Sequence, residues 1–200
     1  QKRADILLRD QLIDNTIIDE IIEDYENNNK IFIIANTVVK AQKIYKQLKE
    51  EFENREILNR MILYHSRFIY KDRVEKENDI YELVKEAPCI IVATQVIEIS
   101  LDISCDIMYS EISPADALGQ RGGRLHRAGK AWRNNKEYLL KVFTVESEKP
   151  YLSQLIENAQ KFLPEGPISY QKLKEFCDEV YKDFKIEKDQ AYKRCFKDNI

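Results

Sequence analysis

Two hundred residues with a 44% hydrophobic fraction suffice for one α/β domain, or a small domain with an appendage, around a sizeable core. The 32 Lys+Arg nearly cancel the 35 Asp+Glu, and a net charge of −3 excludes a molecule that attracts polyanions as a whole, so any such site must be a local patch. Five Gly and five Pro exclude collagen-like or linker-like character, and no apolar run approaches the roughly 20 residues of a membrane-spanning helix.

The opening Gln-Lys-Arg-Ala-Asp has no signal-like character, so the expected location is the cytoplasm. Residues 1–29 are read as a helical lead-in or interlobe linker. Within them Leu12, Ile13, Ile17, Ile18, Ile21, Ile22 and Tyr25 form a helical stripe over 11–28, closed by Asn27-Asn28-Asn29. The period then changes. Ile31–Ala35 is a short continuous apolar run, the mark of a strand buried on both faces. A helix is predicted over Val38–Phe52, a strand over Met61–Tyr64, a helix over Arg73–Lys85 and strands over Cys89–Ala93, Asp106–Glu111 and Tyr138–Val145. Pro150 and Pro164-Glu-Gly-Pro167 mark a boundary, beyond which the chain reads as a helical appendage over 150–200 with no further strand.

Alternating strands and helices over 30–149 predict a mainly parallel sheet flanked by helices on both faces, with ligands beyond the carboxyl ends of its strands. The loops of interest are therefore Asn36-Thr37, His65-Ser66-Arg67, Thr94-Gln95 and the segment after Glu111. The four cysteines, Cys89, Cys105, Cys177 and Cys195, are widely spaced, and only two histidines, His65 and His126, accompany them. No structural zinc site is expected from that set, which reads as isolated reduced thiols.

Four of the five glycines fall in ALGQRGGRLHRAGK, where the charge is also lopsided. Between Asp116 and Glu137 there is no acid, while Arg121, Arg124, Arg127, Lys130, Arg133 and Lys136 recur at every third position. A solvated helix face usually interleaves signs. Glycine lets backbone approach a ligand closely, and the arginine fork suits bidentate contact with phosphate, so the run reads as a phosphate-binding arginine cluster at a loop-to-helix junction. Yet Ala131 follows Gly129-Lys130, so there is no G-x-x-x-x-G-K-[ST] cradle. Asp19-Glu20 and Asp178-Glu179 fall in helical stretches and read as solvated faces rather than a magnesium-binding pair. Fingers without a cradle fit a nucleotide held by another domain.

Gln120-Arg121-Gly122-Gly123-Arg124-Leu125-His126-Arg127 resembles the Q-R-x-G-R-x-x-R motif VI of superfamily 2 helicases. The stretch from Thr94 to Ile103 is similar to their motif V, Ile33–Val38 with Ala41-Gln42 to motif IV, and Leu63–Phe68 to motif IVa. Order and spacing over roughly residues 30–146 agree with the second RecA-like lobe. VATQVIEISLDI and DIMYSEISPADALGQRGGRLHRAGK most resemble the helicase of type I CRISPR systems.

The resemblance implies roles. Arg124 and Arg127 would be fingers on the γ-phosphate of ATP, supported by Gln120 and Arg121. Asp102, Glu98 and Gly123 would belong to the nucleotide side, with Asp102 accepting from the ribose and Glu98 bracing the loop. Asn36, Thr37, His65, Ser66, Arg67 and Thr94 would line a track gripping a single-strand backbone. ATP with Mg2+ would be held mainly by a first RecA-like lobe of the same protein, absent from these residues, and none by this chain alone. Single-stranded DNA, with RNA as the alternative, a CRISPR surveillance complex and an HD-type nuclease domain are the other implied partners. No membrane and no metal site are expected.

Bland readings stand beside these. Thr94 and Asn36 suit turn and helix caps, His65 a structural histidine, Asp102 an N-cap or ion-pair partner, and Arg124 a solvated basic face. Two other functions also fit such a composition: a nucleotide-independent nucleic-acid binding module and a protein-interaction domain.

Overall fold

The computed structural model describes residues 4–125 and 138–184. Seven strands form one sheet in the order β3-β4-β2-β5-β6-β1-β7. They are β1 (Asp5–Arg9), β2 (Lys30–Ile34), β3 (Met61–Tyr64), β4 (Cys89–Ala93), β5 (Ile107–Glu111), β6 (Leu139–Phe143) and β7 (Gly166–Pro167). All pairings are parallel except that of β7 with β1. The helices are α1 (Ile18–Glu26), α2 (Val38–Asn54), α3 (Tyr70–Leu83), α4 (Ile97–Ser100), α5 (Ala115–Gly122), α6 (Ser153–Phe162) and α7 (Tyr170–Tyr181). The α/β class with a mainly parallel, helix-flanked sheet is as expected from the alternating pattern.

The continuous apolar runs exist because both faces of the sheet are covered. Along β2, Phe32 and Ile34 enter one core cluster and Ile31 and Ile33 the other, all fully buried. On the second face α1 seats Ile18, Ile21, Ile22 and Tyr25, and α2 seats Ala41, Ile44, Leu48 and Phe52. The start of α2 is set by Thr37, whose hydroxyl accepts from the Lys40 amide at 3.2 Å. The helix cap is therefore Thr37 and not Asn36. Helix α3 buries only Ile80, in keeping with its polar composition.

Three expectations are corrected. The lead-in over 1–29 is not wholly helical, because Asp5–Arg9 pairs in parallel with Leu139–Phe143 along its full length. Only Ile6 of this strand is buried, so five residues lacked the apolar run that marks β2 and β4. The chain beyond Pro150 does contain a strand, the two-residue β7, closing the sheet edge against Asp5 and Ile6. The third correction concerns Glu20. It is half-buried rather than fully solvated, and its carboxylate accepts from Lys141 Nζ at 2.6 Å. Lys141 is buried in the middle of β6, and it also reaches Asp24 at 2.7 Å and the Tyr109 hydroxyl at 3.0 Å. A charge there is tolerable because two carboxylates from α1 and a phenol satisfy it.

Helices α6 and α7 share the core rather than hanging from it. Leu155, Ile156, Ala159, Phe176 and Val180 pack in the same cluster as Ile6, Leu118 and Leu140. The tail over 185–200 and the segment 126–137, with His126, Arg127, Lys130, Trp132, Arg133, Lys136 and Cys195, lie outside the described residues.

Candidate functional site

Parallel strands of matched length bring their carboxyl ends level. Tyr64 and Ala93 are register partners, as are Ala93 and Ile34, and Ile34 and Ser110. The loops after β3, β4, β2 and β5 therefore lie side by side in that order, bringing together His65, Thr94, Asn36 and Glu111 at one edge. Helix α5 follows Pro114 and runs beside this edge, carrying Gln120, Arg121 and Gly123 to it.

Arg121 is the centre of the arrangement. It is 0% exposed, which a guanidinium sustains only if its donors are engaged. Its Nε donates to the Glu98 carboxylate at 2.7 Å. One terminal nitrogen donates to Ser110 Oγ at 2.8 Å and the Glu111 carbonyl at 2.9 Å, the other to Asn36 Oδ1 at 3.2 Å and the Tyr151 hydroxyl at 3.3 Å. Arg121 thus ties the loops after β2 and β4 to β5. Its charge is spent inside the lobe.

Asn36 is correspondingly occupied and buried. Its backbone N–H donates to Glu111 at 2.6 Å, its side-chain amide to the Ile112 carbonyl at 2.8 Å, and its own carbonyl accepts from Gln95 at 2.8 Å. Burial pushes the Glu111 carboxyl above the usual range, a shift opposed by the Asn36 amide, Lys40 and Arg121.

Arg124 follows the end of α5 and is also buried. Its guanidinium donates to the backbone carbonyls of Leu101 and Glu98, so it packs inward on the motif V loop rather than lying on a solvated basic face. Gly123 makes that return compact, since a Cβ there would meet the Gln120 carbonyl at 3.2 Å. In the same loop Leu101 and Ile103 are buried and Asp102 between them is exposed, an alternation that turns the carboxylate outward. The Asp102 amide donates to the Tyr81 hydroxyl at 3.4 Å.

The expected backbone track divides by exposure. Ser66 and Arg67 are exposed and Thr37 is half-buried, whereas Asn36, His65 and Thr94 are buried. His65 stacks on Phe68 at 4.3 Å between centroids, and Lys76 lies over the Phe68 ring at 4.9 Å. Burial holds the imidazole below its ordinary pKa. Gln120 is exposed on α5. Of the proposed pair of fingers, Arg127 lies outside the described residues.

Sequence reading missed Ser110 and Tyr151. The first sat inside a run read as a buried strand. The second followed Pro150, beyond the expected boundary, and has no motif to announce it. Among the described residues no group of His, Cys, Asp and Glu could hold a metal ion. The Asp102 carboxylate faces outward, whereas the guanidinium groups of Arg121 and Arg124 are engaged within the lobe.

Over residues 27–130 the chain matches the family described as CRISPR-associated nuclease/helicase Cas3, C-terminal. It is 50% identical over 183 residues to a protein of Methanocaldococcus jannaschii that carries the name CRISPR-associated nuclease/helicase Cas3, covering 87% of this chain and 24% of that protein. Its fold is similar to that of T. fusca Cas3-ATP, with a TM-score of 0.79, 24% identity and coverage of 97% of this chain and 25% of that one. A chain in a CRISPR RNA-guided surveillance complex, pre-nicking, gives a TM-score of 0.71 at 25% identity, over 97% of this chain and 27% of that one. The chain therefore spans about a quarter of the length of these relatives.

Proposed function

Because the chain belongs to the Cas3 C-terminal family and is the second motor lobe of a CRISPR-associated helicase, we propose that it acts in an ATP-dependent motor that translocates along single-stranded DNA. The observation that carries this reading is the convergence of the loops after β2, β4 and β5 on Arg121 at one sheet edge. A motor lobe needs such a tie, since nucleotide-side and strand-side loops must move as one body.

In this reading a first lobe would hold ATP and its magnesium ion, and the γ-phosphorus of that ATP would be the electrophile. This chain would bring Arg124 and Arg127 to the γ-phosphate and the Asp102 carboxylate to the ribose. Finger action requires the Arg124 guanidinium to exchange the Leu101 and Glu98 carbonyls for phosphate oxygens, so the motif V loop and the finger respond together. Glu98 serves through Arg121 rather than through nucleotide. Ser66 and Arg67 offer exposed donors, and Thr37 a half-buried one, to a DNA backbone without reading its bases, as translocation demands. Asn36, His65 and Thr94 shape that track from behind. A surveillance complex that recruits the motor and a nuclease domain that cuts the strand complete the assembly.

In the full-length two-lobe protein, Arg124→Ala should lower DNA-stimulated ATP turnover by about 10³-fold. Turnover within a few-fold of wild type would remove the finger assignment.

A further inference from the structure

Tyr151 lies outside every helicase motif, between β6 and α6, yet its hydroxyl sits in the polar centre of the lobe. It accepts from Arg121 at 3.3 Å. Arg121 and Gln95 in turn both hold Asn36, the first through its side-chain oxygen at 3.2 Å and the second through its backbone carbonyl at 2.8 Å. The four residues form a hydrogen-bonded chain, Tyr151–Arg121–Asn36–Gln95, that joins the loops after β2 and β4 to α5. Remove the phenol oxygen and the chain loses its one member from the C-terminal segment.

What delivers Tyr151 is the docking of α6 and α7. The Tyr181 hydroxyl donates to Asp116 on α5, and Phe176 and Val180 are buried in the core beneath. Besides its packing on Leu118, the C-terminal segment makes two side-chain hydrogen bonds to α5 among the described residues, at Asp116 through Tyr181 and at Arg121 through Tyr151. Only the second contact reaches the motif loops.

We propose that Tyr151 is a positioning residue of the motor site, its hydroxyl holding the Arg121 guanidinium that sets Asn36 and Glu98 and so coupling the C-terminal helices to the motif V loop. The proposal rests on the motor-lobe reading above. The step it assists is finger engagement, because the Glu98 side chain held by Arg121 belongs to the same loop whose carbonyls hold Arg124.

The test uses full-length protein carrying Tyr151→Phe, Tyr181→Phe or Arg124→Ala. Tyr151→Phe keeps the ring packing and removes one hydrogen-bonding oxygen. We expect kcat for DNA-stimulated ATP hydrolysis to fall about tenfold, the worth of one hydrogen bond to a charged group. The KM for ATP should stay within about twofold, since nucleotide binding belongs to the other lobe. Amide hydrogen exchange over residues 94–103 of the nucleotide-free protein should accelerate. Tyr181→Phe, which loosens docking but leaves the Tyr151–Arg121 hydrogen bond intact, should change neither kcat nor that exchange. Wild-type kcat and exchange in Tyr151→Phe, with Arg124→Ala inactive, would overturn the positioning role alone. Equal losses in the two tyrosine variants would overturn it too, since they would report docking and not the Tyr151 hydroxyl. If Arg124→Ala turns over normally, the finger assignment fails, and unchanged exchange in Tyr151→Phe would then overturn the positioning role separately.

Discussion

A guanidinium can satisfy five directed donors at once, and Arg121 uses that capacity on Glu98, Ser110, Glu111, Asn36 and Tyr151. The basic run from Arg121 onward was legible as a cluster of arginines, but its local chemistry could not distinguish a phosphate ligand from an internal tie. Burial makes that distinction, and burial depends on what packs above. His65 illustrates the same point with a measurable consequence. Its pKa is held below 6.5 by burial, so the unfolded chain takes up the proton first as pH falls. The stability gained from a neutral buried imidazole is complete above about pH 6.5 and is lost as pH drops through the lower folded value. Between about pH 7.5 and pH 5.5 the melting temperature of the wild type should therefore fall more than that of His65→Gln. Parallel melting profiles for the two proteins would contradict a buried neutral histidine.

At the level of elements, strands β2 and β4 were evident because Ile31–Ile34 and Cys89–Ala93 are buried throughout, and a run of apolar residues needs no partner to be recognised. Strand β1 was hidden for the converse reason, since it buries one residue of five and forms by pairing with β6. The contact of α1 with the sheet depends equally on distant residues. Glu20 and Asp24 meet Lys141 more than a hundred positions later, under Tyr109, whose hydroxyl donates to Asp24 at 2.5 Å. Removing one partner of a buried ion pair leaves the others uncompensated. Lys141→Met should destabilise the fold by about 3 kcal/mol, toward the lower end of such losses because Glu20 keeps some solvent. Urea unfolding would check this, and an unchanged midpoint would show that the network contributes nothing net.

For the whole molecule, the expected division at Pro150 separates motif-bearing residues from the rest but does not divide the core. Leu155, Ile156, Ala159, Phe176 and Val180 cover Ile6, Leu118 and Leu140. Each large apolar side chain so buried contributes about 1.5–3 kcal/mol, and a domain's net stability is only about 5–15 kcal/mol. Ending this chain at Glu148 should therefore abolish cooperative thermal unfolding, whereas a sharp calorimetric transition in the shortened chain would show that α6 and α7 are dispensable.

The sequence by itself determined the class of fold, the order of the motifs and the sheet edge at which they gather, because apolar runs and loop chemistry are properties of contiguous residues. The tertiary structure decided which arginine faces inward, which half of the expected track is exposed, and that Tyr151 belongs with the motifs. Those outcomes rest on hydrogen bonds spanning 85 residues from Asn36 to Arg121 and 30 from Arg121 to Tyr151. Contacts at such separations are set by strand order and register, and those exist only once the chain has closed on itself.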